Sequence, residues 1–161
     1  MVCIRCQATN GKAHSFEKIG SLKDNKTNLY YTCPALAEEQ DDSPEGLTYY
    51  LAHFEATKPN PWIWIFDCKG MKSKDLIKSG LGKRMAEVVQ QTYFDTLLGI
   101  YILNPTFGIK ALIAFINPFL KKETKAKIHV CSLGPIDMIN RLESIGVQRN
   151  DLLTITKKIS N

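Results

Sequence analysis

Apolar side chains change their spacing several times along this chain, and each change marks an element. His14 to Ile19 and Leu29 to Thr32 read as two strands, joined by the polar residues Lys23, Asp24, Asn25 and Lys26 of a hairpin connection. Ser43-Pro44 opens a helix, because a serine hydroxyl accepts from the free first-turn amides and proline suits the first helical position. Leu47, Tyr50, Leu51 and Phe54 follow at i, i+3, i+4 and i+7, and Pro59 and Pro61 stop the run. Trp62 to Phe66 is short, aromatic and β-branched, the composition of a buried strand. A long helix is expected over 73–93, with Leu76, Ile77, Leu81, Met85, Val88, Val89 and Tyr93 as its stripe and a bend where Gly80 and Gly82 weaken it. Leu98 to Leu103 is the next buried strand, a helix covers 106–118, and Lys127 to Cys131 is a short strand. Pro135 then starts a helix whose stripe, Met138, Ile139, Leu142 and Ile145, ends at Gly146. Strands and helices alternate from residue 43 onward, so the expected fold is α/β with parallel pairings and an antiparallel edge from the first two strands. Residues 1–12, polar and carrying the turn pair Asn10-Gly11, are expected as a flexible N-terminal tail, with the domain over 13–155 and a short C-terminal tail over 156–161.

The stretch from Thr106 to Leu120 departs from this pattern. On a helical wheel Thr106, Lys110 and Asn117 fall near one line, and Phe107, Ile109, Ala111, Leu112, Ile113, Phe115 and Ile116 take the rest of the circumference. A helix lying on one sheet needs an apolar stripe only about 100° wide. The wider belt has something further to cover: a core neighbour, a partner subunit, a membrane surface or an apolar ligand. Asn117-Pro118 ends or kinks the helix, and Lys121, Lys122, Lys125 and Lys127 follow with only Glu123 opposing. An apolar face beside a cationic rim suits lipid, with tails on one side and phosphate on the other.

Composition narrows the picture further. At 161 residues, 44% hydrophobic and 23% charged, the chain is one domain's worth, and a disordered or collagen-like chain is excluded. The longest apolar run, Leu97 to Leu103, falls far short of the roughly 20 residues of a membrane span, and no secretory leader is visible at the N-terminus. Residues 1–60 carry 6 basic and 8 acidic residues against 15 and 8 in residues 61–161, so the second part is the one suited to an anionic partner. Cys3, Cys6, Cys33, Cys68 and Cys131, odd in number and scattered, read as reduced thiols in the cytosol. Cys3 and Cys6 form a C-x-x-C, but no second pair stands at zinc-site spacing, so neither a metal nor a cofactor is expected.

Motifs for an enzyme are missing: there is no G-x-S-x-G, P-loop or H-E-x-x-H, and His14, His53 and His129 are scattered. His53, beside Phe54 on its helix, reads as a surface or satisfied polar residue rather than a base, and Cys131 beside His129 has no third group to complete a nucleophilic site. No nucleic-acid module accompanies the basic residues, so no nucleic-acid partner is expected.

Taken in order, Trp62-Ile-Trp-Ile-Phe-Asp-Cys-Lys-Gly70, the long helix, Tyr101-Ile-Leu-Asn-Pro-Thr-Phe107, Asn117-Pro-Phe-Leu120 and Thr124-Lys-Ala-Lys-Ile128 resemble the CRAL-TRIO lipid-binding domain over about residues 13–155. Asn104-Pro-Thr with Ile109-Lys110 is similar to the divergent BCH-like branch found beside Rho GTPase-activating domains. The resemblance implies a mixed, mostly parallel sheet flanked by helices, with residues 106–120 as a gate over an apolar pocket. Phe107, Leu112, Ile113, Phe115, Ile116, Phe119, Trp62 and Trp64 would line pocket and gate. In phosphatidylinositol-binding members, a Glu before the strand preceding the gate and a Lys at the start of the strand after it attend the headgroup; Asp95 and Lys127 stand at those places. Trp62 and Trp64 replace the hydroxyl residues that hold choline phosphate, which argues against phosphatidylcholine, and the helical bundle that usually precedes the domain has no counterpart. The implied function is to bind a lipid, phosphatidylinositol or a phosphoinositide, and to carry or present it at membranes without chemical reaction. The protein would be cytoplasmic, touching an anionic membrane surface reversibly. The alternative is a docking module with a reduced pocket, whose partner is a small GTPase or a second copy of the chain.

Overall fold

The computed structural model of the protein describes residues 3–38, 43–71, 79–132 and 134–160. Five strands form one sheet in the order β1 (Glu17–Ser21), β2 (Asn28–Thr32), β3 (Trp62–Asp67), β4 (Leu97–Leu103) and β5 (Ile128–Cys131). β1 runs antiparallel to β2, and the other neighbours are parallel, the mixed sheet expected from the alternation of elements.

Sequential order with parallel pairing has a consequence for the layers. Right-handed crossovers between successive strands place every connecting helix on the same face. That face receives α2 (Pro44–Glu55), α3 (Ser79–Thr92), α4 (Phe107–Ile116) and α5 (Lys122–Ala126). The chain returns to the opposite face only after β5, as α6 (Pro135–Ser144) and α7 (Arg149–Ser160). Strand alternation then divides the core in two. Leu29, Tyr31, Ile63, Ile65, Tyr101 and Leu103 meet Met138, Leu142, Ile155 and Ile159 on the α6/α7 side. Tyr30, Trp62, Trp64 and Leu97 meet Phe54, Val89 and Tyr93 on the other.

Several expectations shift. Ser43 caps α2 as read, its hydroxyl accepting from the Gly46 amide at 3.0 Å. β1 begins at Glu17 rather than His14, because His14 is drawn against α2, 4.6 Å from the Tyr50 ring. Of the helix expected over 73–93, the described part, Ser79–Thr92, runs unbroken through Gly80 and Gly82, while Leu76 and Ile77 lie outside the described residues. Two stretches expected as tails carry structure. Ile4–Ala8 is a short helix, α1, and Cys3 and Ala13 are buried. At the other end α7 runs past residue 155, because Leu152, Ile155 and Ile159 form an apolar stripe that docks on the sheet.

Candidate functional site

On the α2–α5 side the helices do not close on the sheet. They leave an apolar cavity of about 250 Å³. Trp64, Phe66, Ile100, Ile102 and Ile128 form its floor; Phe54, Met85, Ala86 and Val89 wall it; Ile109, Leu112 and Ile116 of α4 cover it. Its shape follows from α4. Thr106 caps that helix by accepting from the Ile109 amide at 3.3 Å, and Ile116 is its last residue because a 3₁₀ turn over Asn117–Phe119 accommodates Pro118. Of its apolar belt only Ile109 is fully buried. One stripe faces the cavity and the other faces solvent, where Phe107 is 88% and Phe115 52% exposed.

Few polar atoms reach the lining, and most are already engaged. Ser15 Oγ accepts from the Cys33 amide at 2.8 Å, and Thr32 Oγ1 accepts from the Trp64 indole N–H at 2.9 Å. Thr124 differs: it lines the cavity, is buried, and its hydroxyl has no hydrogen-bond partner among the described residues. A buried hydroxyl without a partner costs about 1–3 kcal/mol.

The expected site residues divide. Trp64, Leu112 and Ile116 line the cavity. Phe107, Phe115 and Phe119 point outward instead, since a helix resting on a cavity turns only one stripe inward. Ile113 packs beside the Cys68, Ile102 and Ile109 cluster. Trp62 is fully buried in an aromatic cluster, its ring centroid 6.0 Å from that of Phe54, and does not border the cavity. Asp95 and Lys127 do not border it either. Lys127 Nζ donates to the carbonyls of Phe94 (2.6 Å) and Leu97 (2.8 Å), so the ammonium spans the turn that holds Asp95. Burial lowers the Lys127 pKa and the charge of Asp95 opposes that shift.

Residues that the apolar pattern did not single out complete the lining. Met85 and Val89 were legible only as a helix stripe, and Thr124 carried no signal of its own. His53 is the larger surprise. It borders the cavity, and burial, then the neighbouring His14, holds its pKa down to about 4. The C-x-x-C lacks a second cysteine pair in sequence, yet in space His14 and His53 come to Cys3 and Cys6, and the four ligand atoms lie within 4.8 Å of one another. The missing complement was two histidines on different segments, which no spacing rule along the chain could link.

The enzyme alternative finds little support around Cys131. That residue is 2% exposed, and burial pushes its thiol pKa up. Burial and Arg141 lower the pKa of His129. Both shifts favour neutral groups, where a thiolate nucleophile is needed.

No described helix is long and apolar enough to cross a membrane. Comparison with known proteins bears on the fold. The model of the CRAL/TRIO domain matches residues 29–139. A solved structure, the crystal structure of Sfh5, superposes with a TM-score of 0.57 at 17% identity, covering 81% of this chain. The superposed region spans about half of that protein, 51% of its length. No curated protein matches by sequence.

Proposed function

The chain belongs to the CRAL/TRIO domain family, a family of lipid-binding domains, and from that premise we propose that it holds one apolar lipid in the cavity under α4 and exchanges it at anionic membranes. The observation that carries this reading is the cavity: about 250 Å³, lined almost wholly by apolar side chains, with Thr124 among the few polar residues at its border. That volume is near the lower end of ligand pockets, so it suits part of one acyl chain or a compact apolar molecule. Each buried methylene is worth about 0.8 kcal/mol, and a ten-carbon stretch about 8 kcal/mol. A ligand so held does not escape into water at a useful rate; it leaves when α4 moves against a bilayer.

The outer stripe of α4 supports the membrane step. Phe107, Phe115 and Phe119 are exposed, and Lys110, Lys121 and Lys122 beside them are exposed too. Aromatic rings enter the headgroup boundary, and each lysine near an anionic surface adds about 1 kcal/mol. For a phosphoinositide, the Lys127 ammonium, held by two carbonyls and 3.7 Å from the centre of the Phe94 ring, would have to turn from these contacts to meet phosphate, with Asp95 near it for the inositol hydroxyls. The same exposed phenylalanines fit the alternative of protein docking, and ligand content separates the two.

The test is native mass spectrometry and lipid extraction on the purified full chain. We expect about one lipid per chain, lost when Ala86→Phe fills the cavity, while Ala86→Phe remains folded by circular dichroism. A ligand-free wild type that also takes up no lipid from phosphatidylinositol-containing vesicles would overturn the carrier reading in favour of docking.

A further inference from the structure

We propose that Cys3, Cys6, His14 and His53 form a closed, structural zinc site that fastens the N-terminal segment to α2. Cys3 precedes α1 and Cys6 lies one turn into it, so both sulfurs fall on one side of that turn. His14 comes from the extended segment before β1, and His53 from the last turn of α2. Three separate stretches of chain therefore converge on one point.

The distances describe a coordination shell rather than a hydrogen-bond network. His14 Nδ1 lies 3.4 Å from Cys3 Sγ, 3.6 Å from Cys6 Sγ and 3.2 Å from His53 Nε2, and Cys6 Sγ lies 3.4 Å from His53 Nε2. A ring nitrogen carries one proton or one lone pair, so one atom cannot make three such hydrogen bonds at once. A tetrahedral zinc with Zn–S of about 2.3 Å and Zn–N of about 2.0–2.1 Å requires S···N separations of about 3.5 Å and an N···N separation of about 3.3 Å. The observed separations agree with both.

Charge and donor type point the same way. Two thiolates and two neutral imidazoles around Zn²⁺ make a neutral unit, which suits a place where Cys3 is 4% and His14 3% exposed. Mixed sulfur and nitrogen donors in tetrahedral array select zinc over the harder, oxygen-preferring ions. All four positions are filled by protein, so the site has no opening for substrate and is structural. The Tyr50 ring, 4.6 Å from that of His14, and the Phe16 ring, 5.8 Å from that of His53, form an apolar shell beside it.

A structural need is evident too. α1 has five residues, none of them buried, and its Ile4 is 63% exposed, so packing does little to hold it. A helix this short has no stability of its own in water. Because His53 also borders the cavity, the metal would fix the cavity's wall on the α2 side. The inference does not depend on the lipid reading, since three of the four ligands lie outside the cavity lining.

The experiment is elemental analysis and native mass spectrometry of the full chain purified with its thiols reduced. We expect about one zinc ion per chain, and cobalt(II) exchanged into the protein should give the intense visible bands of a tetrahedral site with thiolate ligation. Cys3→Ser with Cys6→Ser should bring zinc below about a tenth of an equivalent, whereas His129→Gln, which leaves all four ligands in place, should retain it. Wild-type protein that carries no zinc and takes none up on titration overturns the proposal, whether or not the variants fold. Full zinc content in the double serine variant overturns it as well.

Discussion

The two faces of the sheet are built from the same alternating strands but used differently. On the α6/α7 side, Tyr31, Ile65, Met138, Leu142 and Ile155 are almost wholly removed from water, and the gap beside Leu103, Met138 and Ile159 is only about 10 Å³. On the α2–α5 side the floor residues are equally apolar, yet the covering helices stand away and leave about 250 Å³. The difference lies in what meets the strands. α6 and α7 each turn one apolar stripe to the sheet and are otherwise mostly polar, with Ile136 and Leu153 the large apolar side chains they leave exposed. α4 is apolar on most of its circumference and buries only Ile109 completely. One face supplies stability, and the other gives up part of its packing for a space and an exposed apolar surface.

This contrast sets the order of the expected effects. Leu142→Ala, on the sealed face, should cost about 3 kcal/mol in denaturant-induced unfolding, because a close-packed core cannot collapse around the deleted atoms. A loss below about 1 kcal/mol would mean that this face is as loosely packed as its opposite. Gly20→Ala should cost about 2 kcal/mol. A methyl group at Gly20 would overlap the Asp151 carboxylate, which accepts from the Ser21 amide at 3.0 Å and ties α7 to β1. Thermal unfolding of that variant, with Asp151→Ala as companion, checks that the close approach rather than strand propensity sets the cost.

On the open face, substitutions should act on ligand and membrane more than on folding. Phe107→Asp with Phe115→Asp removes two exposed rings from the outer stripe of α4, so stability should stay within about 0.5 kcal/mol. Binding to anionic vesicles in a sedimentation assay should fall about tenfold or more, roughly 1.4 kcal/mol. The smallest effect on ligand and membrane binding is expected for Thr124→Val. It replaces an unpartnered buried hydroxyl by a methyl group, so the ligand-free protein should be unchanged or up to about 1 kcal/mol more stable. Its affinity for a lipid with a polar group near that end should decline, and equal affinity would show that the hydroxyl faces no polar atom of the ligand.

The zinc proposal adds a second contrast, between the two ends of the chain. Both were expected as tails, and both are held down. α7 is held by Leu152, Ile155 and Ile159, an amphipathic stripe that periodicity can find. α1 has no such stripe: Arg5 lies over the Tyr49 ring of α2, and the proposed attachment runs through Cys3, Cys6, His14 and His53, which meet only in three dimensions.

Strand positions from β2 onward, the cap at Ser43, the helix start at Pro135, the break at Asn117-Pro118 and the unusual breadth of the apolar belt after Thr106 were all written in the chain, because each depends on neighbours within a turn or two. Which half of that belt faces inward was decided by tertiary structure: Leu112 and Ile116 over the cavity, Phe107 and Phe115 toward water. So were the engagement of Lys127 with backbone carbonyls, the unpartnered hydroxyl of Thr124, and the meeting of His14 and His53, 39 residues apart, at the Cys3–Cys6 pair. The physical reason is the same in each case. Periodicity records how a segment relates to its own axis, whereas a cavity or a ligand shell is a relation among segments that only the packing of the whole chain brings into being.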